Sequence, residues 1–189
     1  MQDRDGRPVL FVGLPGSGKS SVAREVAIAT GWPCIDLDAE VERRSGRTIA
    51  EIFSESGEAR FRELEVAELG RSVAGPRCVI SAGGGILDSP EARSLAGDCL
   101  VVWLRARVAT LLHRLADPAQ RAGRPLLAGG SDEDLRAGLE QLARRREPTF
   151  AAAADLVVDV DGHSVAEVSN MVLGVIGQRT DDRAAGAHR

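Results

Sequence analysis

The chain predicts an α/β fold: a single domain with a central parallel sheet of about five strands, helices on both sides and a mobile lid. Three observations carry this expectation. Short apolar runs alternate with stretches of helical periodicity. The first of those runs ends in a glycine-rich loop that opens a helix. No repeat or shift in composition divides the 189 residues, a length that suits one domain.

The elements follow in order. Val9-Leu10-Phe11-Val12 is a buried strand, and Ser21–Ile28 has the spacing of a helix. Pro33–Asp38 reads as a second strand with acidic residues at its end. From Ala39 to about Val73 the pattern is helical and highly charged, broken near Ser45-Gly46 and Ser56-Gly57. Cys78–Ser81 is a third strand, and Ser89-Pro90 has the signature of an N-cap followed by proline at the first helical position. Cys99–Leu104 is the most apolar run and is expected to be the central strand, with a helix after it to about Leu115. Ala116–Gly130 holds two prolines and three glycines with few apolar anchors, which predicts the lid. Asp132–Arg146 is helical, Leu156–Val160 is a strand and Ser164–Ile176 is a helix. Residues 1–177 thus form the expected domain, and the polar segment 178–189 is expected to be a disordered tail.

Composition narrows the function classes. A formal net charge of -4 argues against a nucleic-acid partner, which normally meets a basic surface. No apolar run approaches bilayer-spanning length, and the polar first residues lack the apolar core of a signal peptide, so no membrane role and a cytoplasmic location are expected. Cys34, Cys78 and Cys99 lack metal-like spacing and sit in apolar stretches, the pattern of buried reduced thiols. Among 24 basic residues, Lys19 is the one lysine; every other is arginine. Position 19 therefore requires something a planar guanidinium does not supply.

That lysine lies in Gly13-Leu14-Pro15-Gly16-Ser17-Gly18-Lys19-Ser20, a full match to the phosphate-binding loop pattern in its required context between strand and helix. Backbone N–H groups from Gly16 to Ser21 would wrap nucleotide phosphates at a helix N-terminus. Lys19 would reach the β- and γ-phosphates, and the Ser20 hydroxyl would take a Mg²⁺ position. The expected fold is thus a P-loop α/β domain, and the loop by itself implies binding of a nucleoside triphosphate. Asp36 and Asp38, spaced i, i+2 at a strand end, would share one direction, one near the metal and one accepting a proton from an acceptor hydroxyl. Gly83-Gly84-Gly85 after the third strand would allow close backbone approach to a ligand. Arg124, inside the lid, could meet the charge of a transferring phosphoryl group.

These pieces resemble the shikimate kinase family, in order from Gly13 to about Val160. The matching stretches are the loop, Asp36-Leu37-Asp38, Gly46–Ile49 with Ile52-Phe53, Gly57-Glu58 with Phe61-Arg62 and Glu65, Gly83–Gly85, Arg124–Leu127 and Arg146–Pro148. The resemblance implies ATP and Mg²⁺ as cofactors and direct in-line phosphorylation of shikimate to shikimate 3-phosphate, on the route to aromatic amino acids. Asp38 would contact the hydroxyl that is phosphorylated, and Asp36 would stand near Mg²⁺. Arg62 and Arg146 would clamp the substrate carboxylate, with Gly83, Gly84 and Gly85 presenting amides. The helical segment of about 39–73 would bind substrate. Arg114 would meet the adenine face and Arg124 the phosphate. Phe150 stands where the family often has tyrosine. The protein is expected to be a monomer acting on a small molecule. Two other readings share the loop: a kinase for another polyol acid such as gluconate, and a nucleotide-binding regulator without transfer chemistry.

Overall fold

The computed structural model describes residues 6–116 and 131–186. The strands are β1 (Val9–Val12), β2 (Cys34–Asp36), β3 (Val79–Ser81), β4 (Leu100–Arg105) and β5 (Leu156–Asp159). They form one parallel sheet in the order β2-β3-β1-β4-β5. β1 is therefore central, where the apolar 99–104 run was expected; β4 lies beside it, pairing Leu10 with Val101 and, on the other side, Trp103 with Val157. All four β1 residues are buried. Because successive side chains point to opposite faces, continuous burial means that both faces are covered.

The helices are α1 (Lys19–Thr30), α2 (Leu37–Ser45), α3 (Ile49–Ala74), α4 (Pro90–Ala96), α5 (Val108–Leu115), α6 (Asp132–Ala153) and α7 (Val165–Gly186). Local chemistry sets their ends. Thr48 and Glu51 form a capping box at the start of α3, and Ser89 accepts from the Ala92 N–H with Pro90 next in the chain. Both expected breaks occur: Gly46 ends α2 with a left-handed backbone, and Gly57 interrupts α3.

Several boundaries differ from expectation. Leu37 and Asp38 are helical, not strand: the Asp36 carboxylate accepts from the Ala39 N–H and starts α2 immediately. α6 passes Pro148 and ends at Ala153. The proline removes one helical N–H, but buried Phe150 packs its ring on Trp103 at 5.9 Å between centroids and holds the last turns down. α7 continues to Gly186, so the expected tail is helical up to that residue; Gln, Arg and Ala there are good helix formers and no glycine or proline intervenes. Cys78 and Cys99 are buried, whereas Cys34 is exposed because β2 is an edge strand; none of the three is in a disulfide. Residues 117–130 of the expected lid, with Arg124, lie outside the described residues; Ala116 caps α5. Among the described residues no helix is long and apolar enough to cross a membrane.

Candidate active site

The carboxyl ends of β1, β2 and β3 open into one cavity of about 690 Å³. Its first wall is the loop after β1. Gly16 and Gly18 have φ of 82° and 93°, values that L side chains rarely adopt, and Gly18 is the N-cap of α1. At Gly13 a Cβ would lie 2.6 Å from the Leu104 carbonyl oxygen. The first turn of α1 lines the cavity, and a helix N-terminus there is suited to phosphate.

Lys19 Nζ donates to the Gly13 and Leu14 carbonyl oxygens, 3.0 Å each, across the arch of the loop. Ser17 Oγ is buried and has no hydrogen-bond partner among the described residues. Ser20 Oγ donates to Asp36 Oδ2 at 2.9 Å and lies 3.1 Å from Ser81 Oγ. This cluster is all oxygen, the hard donor set Mg²⁺ prefers when one or two protein groups complement water and phosphate. Ser21 also lines the cavity. Arg114 reaches it from α5, with Nη1 donating to the Gly16 and Ser17 carbonyls at 3.4 Å and Nη2 to the Val160 carbonyl at 3.2 Å. Arg114 therefore braces the loop from outside. Val160, His163 and Val165 continue that wall.

The opposite end gathers the charged groups. Asp36 and Asp38 both line the cavity, but one as cap and the other in the first turn of α2, not through strand alternation. Arg62 on α3 pairs with Glu58 at 2.8 Å and with Glu65 one turn on. Arg146, on α6, is 2% exposed and meets Asp88. Between the two arginines runs Gly83-Gly84-Gly85. None of these three has positive φ, so the sequence requires glycine here for room. A Cβ on Gly83 would lie 2.6 Å from Glu65 Oε1 and 3.3 Å from Asp38 Oδ1; one on Gly84 would lie 3.0 Å from the Gly13 carbonyl oxygen; one on Gly85 would lie 2.7 Å from Arg146 Nη2.

Glu65 has no assigned role in the sequence reading, yet it is 0% exposed. Burial pushes its carboxyl from the ordinary 4.5 up to about 7; Arg62 and Arg146 pull the other way, and the charge of Asp38 adds to the rise. The local signal was present: Glu58, Arg62 and Glu65 stand four and three residues apart on one helix face. Ser81 and Asp88 carried no such signal. A carboxyl whose folded value lies above its unfolded one binds more protons when folded, so stability falls as pH rises between the two. Glu65→Gln removes that proton. The unfolding temperature of the wild type, measured relative to Glu65→Gln, is expected to drop as pH rises from about 4.5 to about 7. A difference independent of pH over that range would refute the buried, proton-holding Glu65.

With this geometry in place, known proteins give a consistent match. Residues 15–176 fit the model of the family described as shikimate kinase. A shikimate kinase of Rhodococcus erythropolis is 38% identical over 159 residues, covering 84% of this chain and 90% of that one. The chain belongs to the shikimate kinase family. Another relative, the shikimate kinase of a Synechococcus species, is 41% identical over 167 residues, 88% of this chain and 84% of that protein. Among solved structures, shikimate kinase from Acinetobacter baumannii in complex with shikimate superposes with a TM-score of 0.83 at 28% identity, covering 91% of this chain and 93% of that one. Shikimate kinases are ATP-dependent, and the loop with its single lysine is the part of this chain that suits that nucleotide. Phe150, at the family's frequent tyrosine position, keeps a ring in the core against Trp103.

Proposed function

We propose that the protein transfers the γ-phosphoryl group of ATP to shikimate, giving ADP and shikimate 3-phosphate. The observation that carries this reading is the pairing, in one cavity, of a phosphate-binding loop with two arginines facing a glycine floor. Two guanidinium forks match a carboxylate better than point charges would. The bound shikimate of the Acinetobacter baumannii protein supports the same acceptor here.

In the proposed reaction the carboxylate of shikimate lies between Arg62 and Arg146, and the amides of Gly83, Gly84 and Gly85 line its seat. Asp38, in the first turn of α2, accepts the proton of the attacking hydroxyl. That oxygen forms a bond to the γ-phosphorus while the bond to the bridging oxygen of ADP breaks, with no covalent enzyme intermediate. Lys19 leaves its carbonyl partners for the β- and γ-phosphates, and the amides of Gly16 to Ser21 hold the phosphate chain. Ser20 would hold Mg²⁺ directly and Asp36 close by, where the ion would neutralise charge on the phosphates. Arg114, with Val160 and His163, would border the adenine; Arg124 would complete the charge on the transferred group. In this reading the protein acts on a small molecule, as a monomer in the cytoplasm.

The experiment is ADP release by the purified protein with ATP and Mg²⁺, with shikimate and, in parallel, gluconate as acceptor. ADP that depends on shikimate is the expected result. Its absence would overturn the reading, and ADP dependent on gluconate alone would replace it with the polyol-acid kinase.

A further inference from the structure

Asp88 stands three residues beyond the triple glycine, in the one-turn 3-10 helix Ile86–Asp88. Its Oδ2 accepts from Arg145 Nη2 at 2.9 Å and from Nε and Nη2 of Arg146, both at 3.4 Å. Arg145 is an exposed side chain, but Arg146 is among the largest fully buried ones. A buried guanidinium without a counter-charge is costly and turns towards whatever acceptor it can reach. Burial lowers the pKa of Arg146, Arg145 and Arg62 lower it further, and Asp88 is the group that opposes them.

The direction of the contact matters more than its strength. Asp88 holds one edge of the guanidinium, Nε with Nη2. Nη1 lies over Gly84, 3.2 Å from where a Cβ would stand, on the cavity side. Arg62 is positioned separately, by Glu58 and Glu65. We infer that Asp88 is a positioning residue for the acceptor's carboxylate: it fixes the rotation of Arg146 so that the free N–H groups of the fork face the glycine floor. This rests on the reading that Arg146 binds that carboxylate. Asp88 also carries a negative charge that repels an incoming carboxylate. The two effects move the shikimate KM in opposite directions, so its sign separates them.

The test is steady-state kinetics with shikimate for Asp88→Ala, Asp88→Asn and Asp88→Glu, with ATP affinity from calorimetry and the unfolding temperature alongside. Misorientation of one binding fork predicts a shikimate KM about tenfold higher in Asp88→Ala, with kcat within about twofold and ATP affinity unchanged. Asp88→Asn, which keeps one acceptor oxygen, falls between, and Asp88→Glu returns towards the wild type. In an Arg146→Gln background, Asp88→Ala adds no further rise. A KM that is unchanged or lower in Asp88→Ala overturns the proposal, as does a rise that simply adds to that of Arg146→Gln, or a matching loss of ATP affinity. If Arg146→Gln itself leaves KM unaltered, the carboxylate reading falls and takes this one with it. A normal loss in Arg146→Gln with none in Asp88→Ala overturns the role of Asp88 alone.

Discussion

Asp38→Asn is expected to lower kcat by about a thousandfold while leaving ATP affinity within about twofold, the range seen when a general base loses its proton-accepting form. Asn keeps the size and most of the hydrogen-bonding shape of Asp, so the first turn of α2, capped by Asp36, should persist. In the proposed reaction, what disappears is the ability to take a proton from the attacking hydroxyl. The nucleotide contacts proposed above come from the loop after β1, on a different segment of the chain, and should be untouched. Single-turnover rates and calorimetric titration with ATP measure the two quantities. A variant retaining more than a tenth of the wild-type kcat would show that Asp38 is not the accepting carboxylate.

Gly85→Ala is expected to raise the shikimate KM by about a hundredfold, the scale attached to displacing binding groups by roughly an ångström. The new methyl would lie 2.7 Å from Arg146 Nη2 and 2.8 Å from Cζ and Nη2 of Arg62. Those atoms are the ends of long side chains, so the fold can yield by moving them. Gly85 has an ordinary φ of -101°, which alanine also adopts. Stability should therefore change little, while both forks move off the cavity floor together. Kinetics with thermal unfolding on the same preparation decide the matter: a lowered unfolding temperature with an intact KM would mean that the two arginines do not form the acceptor's carboxylate site.

What could be read from the sequence was mostly local. The phosphate-binding loop depends on consecutive residues, and so it was legible in full, as were the caps at Ser89-Pro90 and the breaks at Gly46 and Gly57. Asp36 and Asp38 were found, but the strand geometry assigned to them was wrong, because one side-chain-to-backbone hydrogen bond starts a helix two residues earlier than the apolar pattern suggests. The glycine triplet was recognised, while its cause, arginine and glutamate side chains pressed against it from α3 and α6, depends on contacts distant in the chain. Asp88 escaped for the same reason: its meaning lies in facing Arg146, 58 residues away, and periodicity is blind to that. The spacing of Glu65 from Arg62 was visible on one helix face, but its full burial against Gly83 was not. The end of α6 was missed because Pro148 argues for a stop locally, and the Phe150–Trp103 contact overrides it.

The ammonium of Lys19, held against the loop carbonyls, gives the molecule an unusual chemical handle. Apart from the α-amino terminus, it is the sole primary amine in the chain. Reagents that acylate amines will therefore find almost nothing to modify on the outer surface, where the cations are guanidinium groups. Attachment to amine-reactive supports or dyes would go through the chain terminus or else strike the phosphate-binding loop at Lys19.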